Sequence, residues 1–258
     1  MTLPDERETA GREVKPFLAH LDDLRRAVLK SLAAVAVGML VAVPLAPWIM
    51  TIAKIPLRQA GKDPDRFLRV IHVTGGVSIA MSIILWTGLI FSAPLVVLFV
   101  CQFIFPGLTR RERKAVLPAM GFAVALFALG VAVGAVMLLR VTLEWMLRIN
   151  AWLGVAVDFW LVNDYVGFVL KLLLALGLTF EFPVVILALG RLGLVTARWL
   201  AAKRRHVVVV LLIVSAVVTP TVDPVTQTLF AAPLYVLYEL CIWLVWAMER
   251  GRGRGSQA

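Results

Sequence analysis

Long apolar runs, each closed by a cluster of basic residues, recur along this chain and limit what it can fold into. Residues 31–53 and 70–109 contain no Asp, Glu, Lys or Arg. A hydrocarbon core roughly 30 Å thick is crossed by about 20 helical residues, so such runs read as membrane spans. Composition agrees, with 61% hydrophobic and 16% charged residues and a mean hydropathy of +0.91. No soluble domain of 258 residues needs that much apolar surface, and the chain reads as a polytopic membrane protein. A net charge of +10 could suggest nucleic acid, but the bases flank the spans instead of forming one patch. They read as topology determinants, with no nucleic-acid partner.

Several chemistries find no support. Cys101 and Cys241 both sit in apolar runs and make no disulfide framework. Three scattered histidines without a Cys-x-x-Cys leave no expected metal, haem or other cofactor. Gly61-Lys62 lacks the earlier glycine of a phosphate-binding loop. An intramembrane enzyme needs a nucleophile beside a base, and no span sets a histidine near a serine or cysteine.

Taken in order, residues 1–16 are charged and poor in apolar matter, and read as a solvated tail. Phe17, Leu21, Leu24 and Val28 then recur at helical spacing and run into a first span at 31–53. Residues 54–75, with Lys54, Pro56, Gly61, Asp63 and Pro64, form a loop with room for short helical pieces. One long tilted helix is expected over 76–104, with Pro94 as a kink point. A third span covers 115–139, where Gly130-x-x-x-Gly134 permits close helix approach. Residues 140–164 read as an interfacial or partly helical outer segment. The fourth span covers 165–190, the short fifth 206–222 and the sixth 225–248, leaving 249–258 as a basic flexible tail.

The expected fold is all-α, six transmembrane helices with both termini cytoplasmic. Basic residues number eighteen on the side of the termini and seven on the other, and the side richer in Lys and Arg is cytoplasmic.

Inside the fourth span lies Phe180-Glu181-Phe182-Pro183. Counted back from Arg191, Glu181 lies roughly 15 Å in, near the bilayer midplane. A charge there costs on the order of 2.5–3.5 kcal/mol on the lenient insertion scale, so it faces protein or a wet cavity. Two readings stand: a protonated acid bonding a neighbouring helix, or the lining of a functional cavity. Pro183 removes a backbone donor at the same depth and weakens or kinks the helix. Lys171 is too far along the helix to pair with Glu181, and reaches toward the rim.

Several stretches together resemble the TatC family, the polytopic subunit of the twin-arginine translocase. His20-Leu21-Asp22-Asp23-Leu24-Arg25 looks like the family's segment before the first span. Phe103-Ile104-Phe105-Pro106-Gly107-Leu108 with Glu112-Arg113 is similar to its first cytoplasmic loop. Phe180-Glu181-Phe182-Pro183 matches its fourth-span motif. Thr219-Pro220 with Asp223 and Gln227, then Pro233-Leu234-Tyr235 and Leu237-Tyr238-Glu239, resemble its last two spans. The motifs fall in family order over residues 17–248, the expected transmembrane domain. Asp23 stands where the family usually has Glu, one methylene longer.

The resemblance implies a receptor, not an enzyme, for signal peptides bearing two consecutive arginines. It implies small single-span TatA/TatB-like partners, copies of itself, and export of folded proteins driven by the proton-motive force. The setting is the cell (inner) membrane of a bacterium or archaeon. Asp23 and Glu112 are the acids expected to hold guanidinium groups, which a carboxylate accepts two bonds at a time. Leu21, Arg25, Pro106 and Gly107 frame them. Arg110, Arg111, Arg113 and Lys114 flank Glu112, so recognition requires them to point away. Glu181, Gln227, Asp223 and Glu239 are the expected intramembrane polar positions. The alternative is a secondary transporter with Glu181 as relay. It should show an internal repeat between halves, and the Glu-x-Pro pattern has no counterpart in the first span.

Overall fold

The computed structural model describes residues 17–104, 116–191, 193–218 and 224–255. Helix α1 (Phe17–Ala53) is followed by short α2 (Ile55–Gln59), α3 (Pro64–Phe67) and strand β1 (Leu68–Arg69), then by α4 (Gly75–Ile104). Helix α5 (Val116–Val133) passes through one π-helical turn, Gly134–Leu138, into α6 (Leu139–Trp152). Strand β2 (Trp160–Leu161) leads into α7 (Val162–Phe180) and α8 (Phe182–Arg191). Short α9 (Ala197–Ala202), α10 (Arg204–Val218) and α11 (Pro224–Gly255) complete the order.

The all-helical reading holds. Among the described residues, five helical stretches are long and apolar enough to cross a membrane: Leu21–Gln59, Gly75–Phe103, Gly121–Trp152, Val162–Arg191 and Pro224–Arg250. The expected fifth span is α10, whose 15 described residues reach roughly 22 Å. It is short, as its apolar run predicts.

Helix α7 is the centre, touching α1, α4, α5 and α11. Val166, Leu172 and Leu176 are fully buried on it. Small residues let its neighbours close in. A Cβ on Gly130 would lie 2.9 Å from the Leu176 carbonyl, and one on Gly134 would lie 2.8 Å from the Leu176 side chain. The Gly-x-x-x-Gly therefore serves packing of α5 on α7. A second close approach joins α1 to α4, where a Cβ on Gly38 would sit 2.5 Å from the Gly88 carbonyl oxygen. Outward, Leu32, Val37 and Leu40 remain exposed along α1, the face a lipid-embedded helix presents.

At one end, which we call the capped end, the 54–75 loop does contain short helices. The Asp63 side chain caps α3 by accepting from the Asp65 N–H at 3.1 Å. The parallel pairing of Leu68 with Trp160 and Arg69 with Leu161 was not expected. Phe67 meets Trp160 edge-on at 5.1 Å, and the Tyr165 hydroxyl donates to the Ala53 carbonyl at 2.7 Å.

Residues 140–152 are the helical part of the partly helical segment expected over 140–164. The third helix continues through them to Trp152, with the extra residue of the π turn absorbed where Gly134 packs on α7. The last helix runs on into the segment expected as a tail, with its backbone helical to Gly255. The chain beyond Glu249 has no proline to stop it, and Glu249 itself is tied down. Its carboxylate accepts from the Ala197 N–H at 3.0 Å.

Candidate functional site

The end opposite the cap carries the basic segments, and there α1 and α4 leave a cleft of about 270 Å³ between them. Asp23, Arg26, Ala27 and Lys30 line one wall and Phe99, Gln102 and Phe103 the other. Positions 23, 26, 27 and 30 fall on one helical face by the three- and four-residue spacing of neighbours. Arg26 also reaches back along its own helix to Asp22, at 2.6 Å.

Of the expected signal-peptide residues, Asp23 is half-buried in this cleft, while Leu21 and Arg25 are exposed and do not line it. Glu112, Pro106 and Gly107 lie outside the described residues, as does Asp223. The structure adds Lys30, Phe99 and Gln102. Lys30 could have been found from its spacing to Asp23 and Arg26. Gln102 carries no signal beyond being a polar residue at the end of an apolar run.

Glu181 is where the fourth span breaks in two. Its N–H donates to the Leu178 carbonyl at 3.1 Å, and its own carbonyl accepts from the Val184 N–H at 3.0 Å. Pro183 has no N–H to continue the α7 ladder, so the chain turns once and restarts as α8. The side chain is only 2% exposed. Neither carboxyl oxygen has a hydrogen-bond partner among the described residues. Lys171, as expected, does not reach it and sits over the Trp86 ring at 5.2 Å.

The other polar positions do not gather around Glu181. Gln227 donates from its side-chain amide to the Leu212 carbonyl at 2.7 Å, joining α11 to α10. Glu239 lies twelve residues further along α11, roughly 18 Å away. The Arg204 guanidinium meets it with two bonds, 2.8 Å to Oε1 and 2.9 Å to Oε2. The Tyr235 hydroxyl donates to the same carboxylate at 3.0 Å. Next to it, Tyr238 donates to the Leu200 carbonyl at 2.7 Å. A bidentate pair of this kind positions the 191–205 segment against α11. Among the described residues no cluster of His, Cys, Asp and Glu could hold a metal ion.

The model of the Sec-independent protein translocase protein family (TatC) matches residues 19–233. The TatC protein of Deinococcus radiodurans is 31% identical over 250 residues, covering 94% of this chain and 92% of that one. The protein of Aquifex aeolicus is also 31% identical, over 89% and 94% of the two chains. A chloroplastic relative from Pisum sativum shares 31% over 94% of this chain and 65% of its own. A crystal structure of the twin-arginine translocase receptor TatC superimposes with a TM-score of 0.74 at 31% identity. It covers 88% of this chain and 97% of that chain.

Proposed function

The chain belongs to the TatC family of Sec-independent protein translocase proteins, and from that premise we propose that the cleft at Asp23 is where twin-arginine signal peptides are read. As a TatC it is the receptor component of the twin-arginine translocase, a multi-pass membrane protein and not an enzyme. In our reading Asp23 accepts one guanidinium and Glu112, from the following loop, the other. Leu21, Arg25, Pro106 and Gly107 complete the set of residues we assign to signal-peptide binding. A guanidinium presents its donors as a flat fork that matches a carboxylate, which a lysine ammonium does not.

The observation that carries this is the cleft itself. It places a carboxylate beside an apolar wall of Phe99 and Phe103 at the basic end of the bundle. An arginine pair followed by apolar residues needs that combination. We further assign six spans with both ends in the cytoplasm, counting short α10 as the fifth, in the cell (inner) membrane of a bacterium or archaeon. The chain works as several copies with small single-span TatA/TatB-like partners and exports folded proteins on the proton-motive force. Residues 17–248 form the transmembrane domain.

Photo-crosslinking of a twin-arginine precursor to membranes carrying each variant tests the site. A charge-assisted hydrogen bond contributes about 1.5–3 kcal/mol, so losing one weakens binding roughly 10- to 150-fold. Asp23→Lys and Glu112→Lys should each abolish the crosslink while insertion stays intact, and Asp23→Glu should be mild. Undiminished crosslinking in the double Lys variant would place arginine recognition elsewhere.

A further inference from the structure

The Asp23 cleft contains more charge than an arginine pair needs, and of the wrong sign. Arg26 and Lys30 line the same wall as Asp23, and both would repel a dicationic peptide. Lys30 is the last charge before the uncharged run 31–53, and Gln102 stands near the end of the uncharged run 70–109. The cleft therefore sits at the depth where hydrocarbon gives way to headgroups. Basic pockets between spanning helices at this depth are suited to lipid phosphates.

Which ligand satisfies the whole wall follows from its signs. A purely anionic headgroup would find Lys30 and Arg26 but face the Asp23 carboxylate. A purely cationic one would find Asp23 and face two bases. A phosphate joined through a short arm to a primary ammonium satisfies both, with the phosphate at Lys30 and Arg26 and the ammonium at Asp23. Asp22 already engages Arg26 at 2.6 Å, which leaves Lys30 the principal phosphate partner. Phe99 and Phe103 offer the glycerol and first acyl carbons an apolar wall, and the Gln102 amide can donate to a phosphate oxygen.

We propose that this cleft between α1 and α4 binds a phospholipid with an ethanolamine headgroup. On the receptor reading, on which this one step rests, an incoming arginine takes the place of the lipid ammonium at Asp23. Lys30 and Arg26 then remain neutralised by phosphate while the peptide arrives. The bases in the cleft would thus hold the lipid that makes the site tolerable to a cationic peptide.

The test uses the full chain reconstituted in vesicles of mixed ethanolamine, choline and glycerol phospholipids with identical acyl chains. Retained lipid is read by native mass spectrometry, without peptide. The choline nitrogen has no N–H to donate, so the ethanolamine lipid should be retained roughly tenfold over it, the worth of one charge-assisted bond. Lys30→Gln should cut ethanolamine retention several-fold, and Arg26→Gln with Lys30→Gln should remove it. Asp23→Asn should erase the preference of ethanolamine over glycerol headgroups. Soluble glycerophosphoethanolamine should compete poorly; equal competition would overturn a membrane lipid as the source. Equal retention of ethanolamine and choline lipids by the natural sequence, or unchanged retention in the double variant, would overturn the site. A protein that crosslinks precursor through Asp23 yet shows no headgroup preference would refute the lipid proposal and leave the receptor reading standing.

Discussion

Helices α1 and α4 meet backbone to backbone, whereas α10 and α11 are joined by side-chain hydrogen bonds. In the first pair Gly38 and Gly88 are both buried, with no room for a methyl group on either. In the second, Gln227 reaches the Leu212 carbonyl and Arg204 forks onto Glu239. Lipid tails are as apolar as leucine, so spanning helices gain little from hydrophobic burial and depend on close packing or polar contacts. A pair of 37- and 30-residue helices has the length to accumulate van der Waals contact. Fifteen residues of α10 do not, and polar bonds at its first residue and at Leu212 fix its register instead. Length decides which kind of adhesive a helix pair can use.

The sharpest way to break this comparison is to force the tight pair apart. A Cβ on Gly88 would lie 2.8 Å from the Met39 Cα and N, which are backbone and cannot rotate away. Gly88→Val should cost about 1–3 kcal/mol, the usual range for overpacking, and lower the thermal unfolding midpoint in detergent. Gly76 begins the same helix, and a Cβ there meets nothing within 4 Å. Gly76→Val is the matched control and should leave the midpoint in place. If both variants unfold alike, the glycine contact does not set the α1–α4 spacing.

Glu181 belongs to neither kind of contact, since it is buried with both oxygens unpartnered among the described residues. Leaving such a group unsatisfied costs about 1–3 kcal/mol. Glu181→Leu, similar in volume, should therefore leave stability unchanged or raise it by about 1 kcal/mol, while precursor transport falls. Glu181→Gln should insert and bind precursor normally and also transport less. A destabilised Leu variant would show that the carboxyl serves the fold; wild-type transport would show that it is merely tolerated.

In the polar pair the test is the fork. Half of the Arg204 side chain is exposed, 48%, so solvent screens the pair and keeps its contribution small. Arg204→Lys keeps the charge and loses one of two parallel bonds. It should lower the unfolding midpoint less than Arg204→Ala, and Glu239→Gln should match the alanine variant. Protease accessibility of the 191–205 segment should rise in the same order. Equal behaviour of Lys and natural Arg would make this an ordinary surface ion pair.

What was legible in the sequence follows from the range over which each feature is written. Apolar run length gives each span directly, and the Glu181 break is visible because a carboxylate and a proline sit two residues apart. Gly130 and Gly134 announce themselves by spacing within one helix. Gly38 and Gly88 do not, because their partnership is between helices and neither has a second glycine four residues away in its own run. The Leu68–Trp160 and Arg69–Leu161 pairing is two residues long on each side and separated by two spans, so no local pattern could carry it. Helical continuation to Gly255 was hidden because Gly251 and Gly253 read as breakers. The long, well-packed helix before them overrides that preference. At the site, Asp23 was legible through family resemblance, and Lys30 was overlooked because a base beside a span reads first as a topology signal.

At the capped end the foot of α1 gains a polar tie to α3, and it offers the finest test of the contrast. Lys54, just past α1, puts its Nζ 2.6 Å from Asp65 Oδ1. The hydrogen bond from Lys54, then its charge, hold the Asp65 carboxyl below its ordinary value of 3.8. A carboxyl depressed in the folded state lends stability that is complete above that ordinary value. The contribution disappears as pH falls through the lower folded value. Asp65 is exposed and Arg58 stands further off at 3.9 Å, so the tie is weak and sensitive to salt. The Asp65 carboxyl-carbon shift, followed by NMR from pH 6 to 2, should titrate at lower pH in the natural sequence than in Lys54→Gln. Raising the salt concentration should move the natural protein toward the variant. Coincident midpoints at low salt would mean that the Lys54 tie does not hold the cap, leaving that to the Tyr165 bond, the β1–β2 pairing and the Phe67–Trp160 contact. The end of α1 would then owe nothing to this ion pair, and the contrast with the Arg204–Glu239 fork between α10 and α11 would sharpen.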